Sequence, residues 1–218
     1  MRADARRNHE LLLTAARDVF VERGPDAPLD EIARRAGVSI ATLYRRFVDR
    51  ATLMHAVVLA ALTATVEAVE RVQRDHADPF DALSAYVHAV LDLRTSAVIP
   101  TLLDQLDLNE PQLNAARTKS AQLIEQLLDA AHHSGALRKG VAFGDIGLML
   151  VRLSRPLPGP IPAETQHALA HRHADLFLAG LRTTPSDQRL CGPELDLAAL
   201  HQLEQAANAP TRQPSTTP

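Results

Sequence analysis

Residues 29–47 read LDEIARRAGVSIATLYRRF, two short apolar-periodic segments separated by Gly37-Val38-Ser39. In the first segment Leu29, Ile32, Ala33 and Ala36 fall on one face at helical spacing. Pro28 and the acidic pair Asp30-Glu31 suit the opening turn of that helix. Gly37 follows the last apolar position, where a left-handed residue ends a helix, and Ser39 brings a hydroxyl that can cap the next one. The second helix runs from about residue 40 to 46, with Leu43 and Phe47 turned inward. A helix-turn-helix needs a small residue where the helices cross (Ala33), a glycine in the turn (Gly37) and apolar residues that pin the second helix to the first (Ile32, Ala36, Val38, Leu43). All are present. The second helix can then lie in a major groove about 12 Å wide, its N-terminal residues at base edges. Its outward positions are Ile40, Ala41, Thr42, Tyr44, Arg45 and Arg46. Hydroxyls of Ser39, Thr42 and Tyr44 suit phosphates, contacts that position without reading sequence. Arg45 and Arg46 suit either phosphates or a bidentate pair with guanine.

The chain of 218 residues carries a formal net charge of -3, an odd balance for a nucleic-acid binder. The charge is uneven, however. Residues 1–50 hold ten arginines against eight acids, net +2, and residues 51–218 hold 13 basic against 18 acidic residues, net -5. The acidity therefore belongs to the larger C-terminal part, and charge per region is what matters for binding. Hydrophobic residues make up 46% of the chain with 3% aromatics and no Trp, so the core is built from Leu, Val, Ile and Ala, a composition that favours helix. The single cysteine, Cys191, excludes a disulfide framework and a Cys-rich zinc site. Without a signal-like N-terminus or a run of about 18 apolar residues, the expectation is a cytoplasmic protein with no membrane contact.

Outward from the motif, helical spacing extends over residues 9–21 and, after an Asp49 cap, over 50–74. Phe80, Leu83, Val87, Val90 and Leu91 form a further stripe that Pro100 is expected to stop. Helices are also expected over 111–133, 145–153 and 163–182, with a weaker one over 195–207. The run RPLPGPIP at 155–162 cannot be helical. Strand alternation and heptad runs are absent from the sequence, which predicts an all-α protein. Residues 1–50 form a three-helix helix-turn-helix domain, 51–205 a larger helical domain for ligand binding and dimerisation, and 206–218 a disordered tail.

The stretch LDEIARRAGVSIATLYRRFVDRATL at residues 29–53 resembles the N-terminal DNA-binding domain of the TetR (tetracycline-repressor) family of bacterial transcription regulators, over about residues 8–60. That resemblance implies a homodimer on a palindromic operator, usually a repressor, that leaves DNA when a small molecule enters the larger domain. It places Ser39, Thr42, Tyr44, Arg45 and Arg46 on DNA-facing positions, and Ile40 and Ala41, outward on the same helix, are counted with them as DNA-binding residues. Arg50 falls where members often set a Lys against a phosphate. Ala41 stands in place of the family's usual Gly, Arg46 in place of a frequent His, and Pro28 in place of a phosphate-binding Thr. Arg2, Arg6 and Arg7 are expected to form either a DNA-reaching arm or a solvated tail.

The resemblance further implies that the helices at 145–153 and 163–182 form a dimerisation pair, with Ile146, Met149, Leu150, Leu169, His173 and Leu176 at the interface. His88 with Asp92, one turn apart beside an apolar stripe, and Arg152, a charge in an apolar helix, are candidate ligand-pocket residues. His167 and His171 are four apart, but an HExxH motif is missing its Glu and no neighbouring carboxylate or thiol completes a ligand set, so no metal or cofactor is expected. No phosphate-cradling glycine loop or GxSxG elbow supports an enzyme. The alternatives are a small-molecule-binding helical protein without operator binding, or a helical enzyme.

Overall fold

The computed structural model describes residues 2–183, 190–196, 198, 199 and 202, with side chains from residue 7 onward. Among these are nine α-helices: α1 (Arg2–Arg23), α2 (Leu29–Arg35), α3 (Ile40–Arg46), α4 (Arg50–Asp75), α5 (Pro79–Leu93), α6 (Thr95–Leu102), α7 (Pro111–His133), α8 (Phe143–Leu153) and α9 (Ala163–Leu181). No strand occurs among the described residues; a lone bridge pairs Leu137 with Arg182. The tail at 206–218 lies outside the described residues, as does most of the helix expected over 195–207.

Carboxylates set several of the helix starts. Asp49 Oδ1 accepts from the Thr52 amide at 2.8 Å, Asp78 Oδ1 from the Phe80 and Asp81 amides at 2.9 Å, and Glu110 Oε2 from the Leu113 amide at 2.9 Å. Each satisfies amides that a helix N-terminus leaves unpaired.

Two buried clusters organise the packing. One joins α1, α2 and α3 to the first half of α4, with Leu12, Phe20, Ile32, Leu43, Leu53 and Val57 at its centre, and reaches Val98 and Leu102 of α6. The other joins the end of α4 (Val69, Val72) to α5, α7, α8 and α9 through Phe80, Leu83, Leu127, Ile146 and Leu178. Helix α4 thus runs through both. It alone among the described residues is long and apolar enough, by length and composition, to cross a membrane. Its buried stripe from Leu53 to Val72 packs on α1, α5, α6 and α7, which makes it a core helix.

Three expectations are corrected. The segment 2–7 is the start of α1 rather than an arm; the side chains of Arg2 and Arg6 lie outside the description, and Arg7 is exposed. Pro100 sits inside α6 and does not end the preceding stripe. The break falls at Arg94, whose φ of 52° is left-handed, and the Thr101 hydroxyl donates to Ala97 O at 2.8 Å beside the proline. Finally, Ile146 and Leu150, expected at a dimer surface, are 1% and 3% exposed inside the chain's own core. Their four-residue spacing puts them on one face of α8, the face packed into the second cluster. Met149, Leu169, His173 and Leu176 do lie at least partly outside, Leu176 at 64% exposure.

Candidate nucleic-acid interface

The turn between α2 and α3 is closed by two backbone bonds, Val38 N–H to Ala33 O at 3.0 Å and Gly37 N–H to Arg34 O at 3.2 Å. This is the paired pattern of a helix that stops at a left-handed residue, and Gly37 has φ 69°. Ser39 then caps α3: its Oγ accepts from the Thr42 amide at 3.2 Å and shares a hydrogen bond with Thr42 Oγ1 at 2.9 Å. Leu43 and Phe47 anchor α3 in the core at 0% and 3% exposure, with Ile32, Ala33 and Ala36 buried beneath and Val38 half-buried beside them. His9 of α1 stacks on Phe47, ring centroids 5.6 Å apart. Burial pulls the His9 imidazole below its ordinary value, and the nearby Arg46 charge adds to that.

What α3 offers outward is Ile40, Ala41, Tyr44, Arg45 and Arg46, all exposed, with Thr42 half-buried against its cap. Tyr44 is 52% exposed, and Arg45 makes no hydrogen bond or ion pair among the described residues. Asn8, Thr42, Arg45 and Arg46 together line one shallow recess between α1 and α3. Asn8 escaped sequence reasoning because nothing in its neighbourhood ties α1 to α3 until the helices pack.

Arg50 departs from its expected role. Its Nη1 donates to Pro25 O at 2.7 Å and to Ala27 O at 2.6 Å, so this edge of the guanidinium closes the α1–α2 turn. The α2 arginines are committed as well: Arg34 bonds Glu31 at 2.7 Å, and Arg35 bonds both Glu31 and Glu22. Glu31 is held below the usual carboxylate range by these partners, Arg34 first.

Residues 12–57 match the family described as bacterial regulatory proteins, tetR family, and residues 78–183 match the SbtR-like transcriptional regulator C-terminal domain. An uncharacterised HTH-type transcriptional regulator of Mycobacterium bovis is 35% identical over 136 residues, 60% of this chain and 70% of that protein. The chain belongs to the TetR family. It is a DNA-binding transcription regulator. The HTH-type transcriptional activator FasR of Mycolicibacterium smegmatis is 37% identical over 113 residues, about half of each chain (50% and 51%). A TetR transcriptional regulator from Streptomyces coelicolor superposes with TM-score 0.55 at 29% identity, covering 80% of this chain and 98% of its own.

Within this TetR-family chain a cavity of about 180 Å³ lies between α4, α5, α6, α7 and α8. Its walls are mostly apolar, among them Val58, Leu62, Val90, Ile99, Ile124 and Val151. Thr65 borders it with its hydroxyl already bonded to Ala61 O at 2.9 Å, and Ser96 with its hydroxyl on Ser154 at 2.8 Å. Burial pushes the Tyr86 hydroxyl, also at this wall, well above its ordinary value and keeps it protonated. Thr95 differs: its Oγ1 is buried without a hydrogen-bond partner. None of the expected pocket residues lines this cavity. His88 and Asp92 sit on the face of α5 that meets α9, about 200° around the helix from the cavity residues Tyr86 and Val90. Arg152 borders a separate groove with Leu153, His167 and His173. Spacing alone showed that His88 and Asp92 share a face, but not which neighbour that face meets.

Proposed function

We propose that this TetR-family protein is a cytoplasmic homodimeric repressor, without catalytic activity, that binds a palindromic operator and is released when a small molecule enters the cavity. The observation that carries this reading is the double duty of α6. It borders the cavity through Thr95, Ser96, Ile99 and Pro100, while Val98 and Leu102 belong to the same buried cluster as Leu12 and Leu43 of the DNA-binding head. A ligand that fits only when α6 is displaced favours the conformation in which the heads are misplaced. By linkage it must then lower DNA affinity by the same factor by which DNA lowers its own.

In this reading α3 enters the major groove. Ser39 and Thr42 hold the helix start, Tyr44 meets a phosphate, and Arg45 with Arg46 supply base preference. Two heads are needed, since one seven-residue helix reads few bases. The outer faces of α8 and α9, with Met149, Leu169, His173 and Leu176, join the two chains. The cavity walls favour a largely apolar effector whose few polar atoms meet Arg117 and Ser120 on α7, and Thr95 once α6 is displaced. Repression follows most simply because an occupied promoter blocks transcription without a further contact to polymerase. Deleting the gene should raise transcription from the promoter that the protein binds, and added effector should do the same. A fall on deletion would make it an activator. Intact effector binding with no DNA binding would select a helical small-molecule-binding protein instead.

A further inference from the structure

On the far side of α5 from the cavity, five titratable side chains converge. His88 and Asp92 lie one turn apart on α5, and His167, His171 and Asp175 lie on successive turns of α9. Asp92 Oδ1 stands 3.0 Å from His171 Nε2 and 3.4 Å from His167 Nε2, and the three atoms all lie within 4.8 Å of one another. Around a tetrahedral zinc ion with bonds of about 2.0–2.1 Å, ligand atoms are separated by about 3.3 Å. Two of the three edges already have that spacing. The third is no longer than 4.8 Å, and the His167 side chain, 57% exposed, has room to adjust. The carboxylate that sequence spacing did not supply is thus brought in by the fold from another helix.

His88 Nδ1 and His171 Nδ1 are 2.7 Å apart, with ring planes within 5° and centroids 5.0 Å apart, so the rings meet edge to edge through a hydrogen bond rather than face to face. His88 Nε2 is 3.0 Å from Asp175 Oδ1. The line Asp175–His88–His171–Asp92 therefore contains three short polar contacts, while two neutral imidazoles carry two N–H protons between them. If His88 donates to Asp175 and His171 donates to His88, the lone pair of His171 Nε2 faces the Asp92 carboxylate. If the chain of donors runs the other way, the lone pair of His88 faces Asp175. In either arrangement an imidazole lone pair faces a carboxylate, and at the Asp92 end His167 adds a second imidazole nitrogen, so that end has the donor set of a cation site.

We propose that Asp92, His167 and His171 bind a divalent transition ion of the zinc class. His171 ligates through Nε2, its Nδ1–H donates to His88, and His88 Nε2–H donates to Asp175, the outer arrangement that fixes the tautomer of a metal-bound histidine. Two imidazoles with one carboxylate suit zinc, cobalt or nickel rather than magnesium or calcium, and three protein ligands leave a position for water. The ion fastens α5 to α9.

The test uses full-length, tag-free protein titrated with Co²⁺, read by visible ligand-field absorption, and back-titrated with Zn²⁺. The expected result is one Co²⁺ per chain, displaced by Zn²⁺, and a melting temperature that rises with Zn²⁺. Asp92→Asn and His171→Gln should each abolish the saturable site. His88→Gln should weaken it about tenfold to a hundredfold. His133→Gln, which removes a ring bonded to the Asp129 carbonyl on its own helix, should leave it unchanged. Far-ultraviolet circular dichroism checks that each variant is folded. The proposal is overturned if wild-type protein takes up no Co²⁺, or if Asp92→Asn and His171→Gln bind as the wild type does. It is overturned equally if the His171 ring in zinc-saturated protein titrates by NMR as an imidazolium, which would show the cation at that end to be a proton.

Discussion

Replacing Thr95 with valine should make the ligand-free protein more stable and less responsive to its effector. Thr95 is 2% exposed, and its Oγ1 reaches neither a partner nor solvent. A hydroxyl buried in that state costs about 1–3 kcal/mol. Valine keeps the shape, and its helix propensity is close to that of threonine. The substitution should therefore recover about 1–2 kcal/mol, which in a chain of this size raises Tm by about 2–8 °C. Thr95 borders the cavity, and an effector that displaces α6 would uncover its hydroxyl, so the same change removes a polar atom that the opened cavity offers. A neutral hydrogen bond worth about 0.5–1.5 kcal/mol then translates into about 2- to 10-fold more effector for half-release of DNA. Scanning calorimetry of the two proteins, followed by effector titration on operator DNA, measures both effects. A lower Tm for Thr95→Val would show that the hydroxyl is satisfied in solution, and unchanged effector demand would remove Thr95 as the anchor.

Gly37→Ala should cost about 1–2 kcal/mol in urea unfolding, the penalty for a side chain in the left-handed region; nothing lies within 4 Å of the added Cβ, so a larger loss would point to a clash absent from the structure. Tyr44→Phe should weaken binding to all operators alike, whereas Arg45→Ala should in addition relax preference at one base position, by about 1–3 kcal/mol across a binding-site library. Equal, sequence-blind losses from both would remove Arg45 as a base reader. His9 makes the head acid-sensitive. Its folded value lies below the ordinary 6.5, so the unfolded chain binds more protons in between, and stability present above 6.5 is lost as pH falls toward the folded value. Urea midpoints measured across that window should fall for wild type and flatten for His9→Gln.

The parts of the fold that were readable beforehand are those governed by local chemistry. Gly37 adopts the left-handed conformation that ends α2, Ser39 and Asp49 cap the following helices, and Leu43 with Phe47 point inward as their spacing requires. What stayed hidden depends on partners distant in sequence. Arg50 carries no sign that it closes a turn around Pro25 and Ala27. Ile146 and Leu150 are as apolar as any interface residue, and only the chain's own helices packed around them turn them into core. Pro100 ends most helices, yet the chain breaks instead at Arg94, whose left-handed backbone no local rule favours and which lies 3.8 Å from Asp18 of α1. The α5–α9 histidine and aspartate cluster escaped for the same reason, since Asp92 and His167 belong to different helices and meet only across a packed face.

In the proposed function α3, presented twice by a dimer, reads a symmetric DNA site. Selecting bound fragments from a random DNA pool with purified full-length protein, then measuring affinity for the winners against salt, tests it directly. The expected winners carry two-fold symmetric half-sites whose centres are one helical turn of about 34–36 Å or a multiple apart. They should be bound by an even number of chains, with log affinity falling linearly against log salt. A pool that shows no enrichment, or protein that binds every fragment equally, would contradict the account.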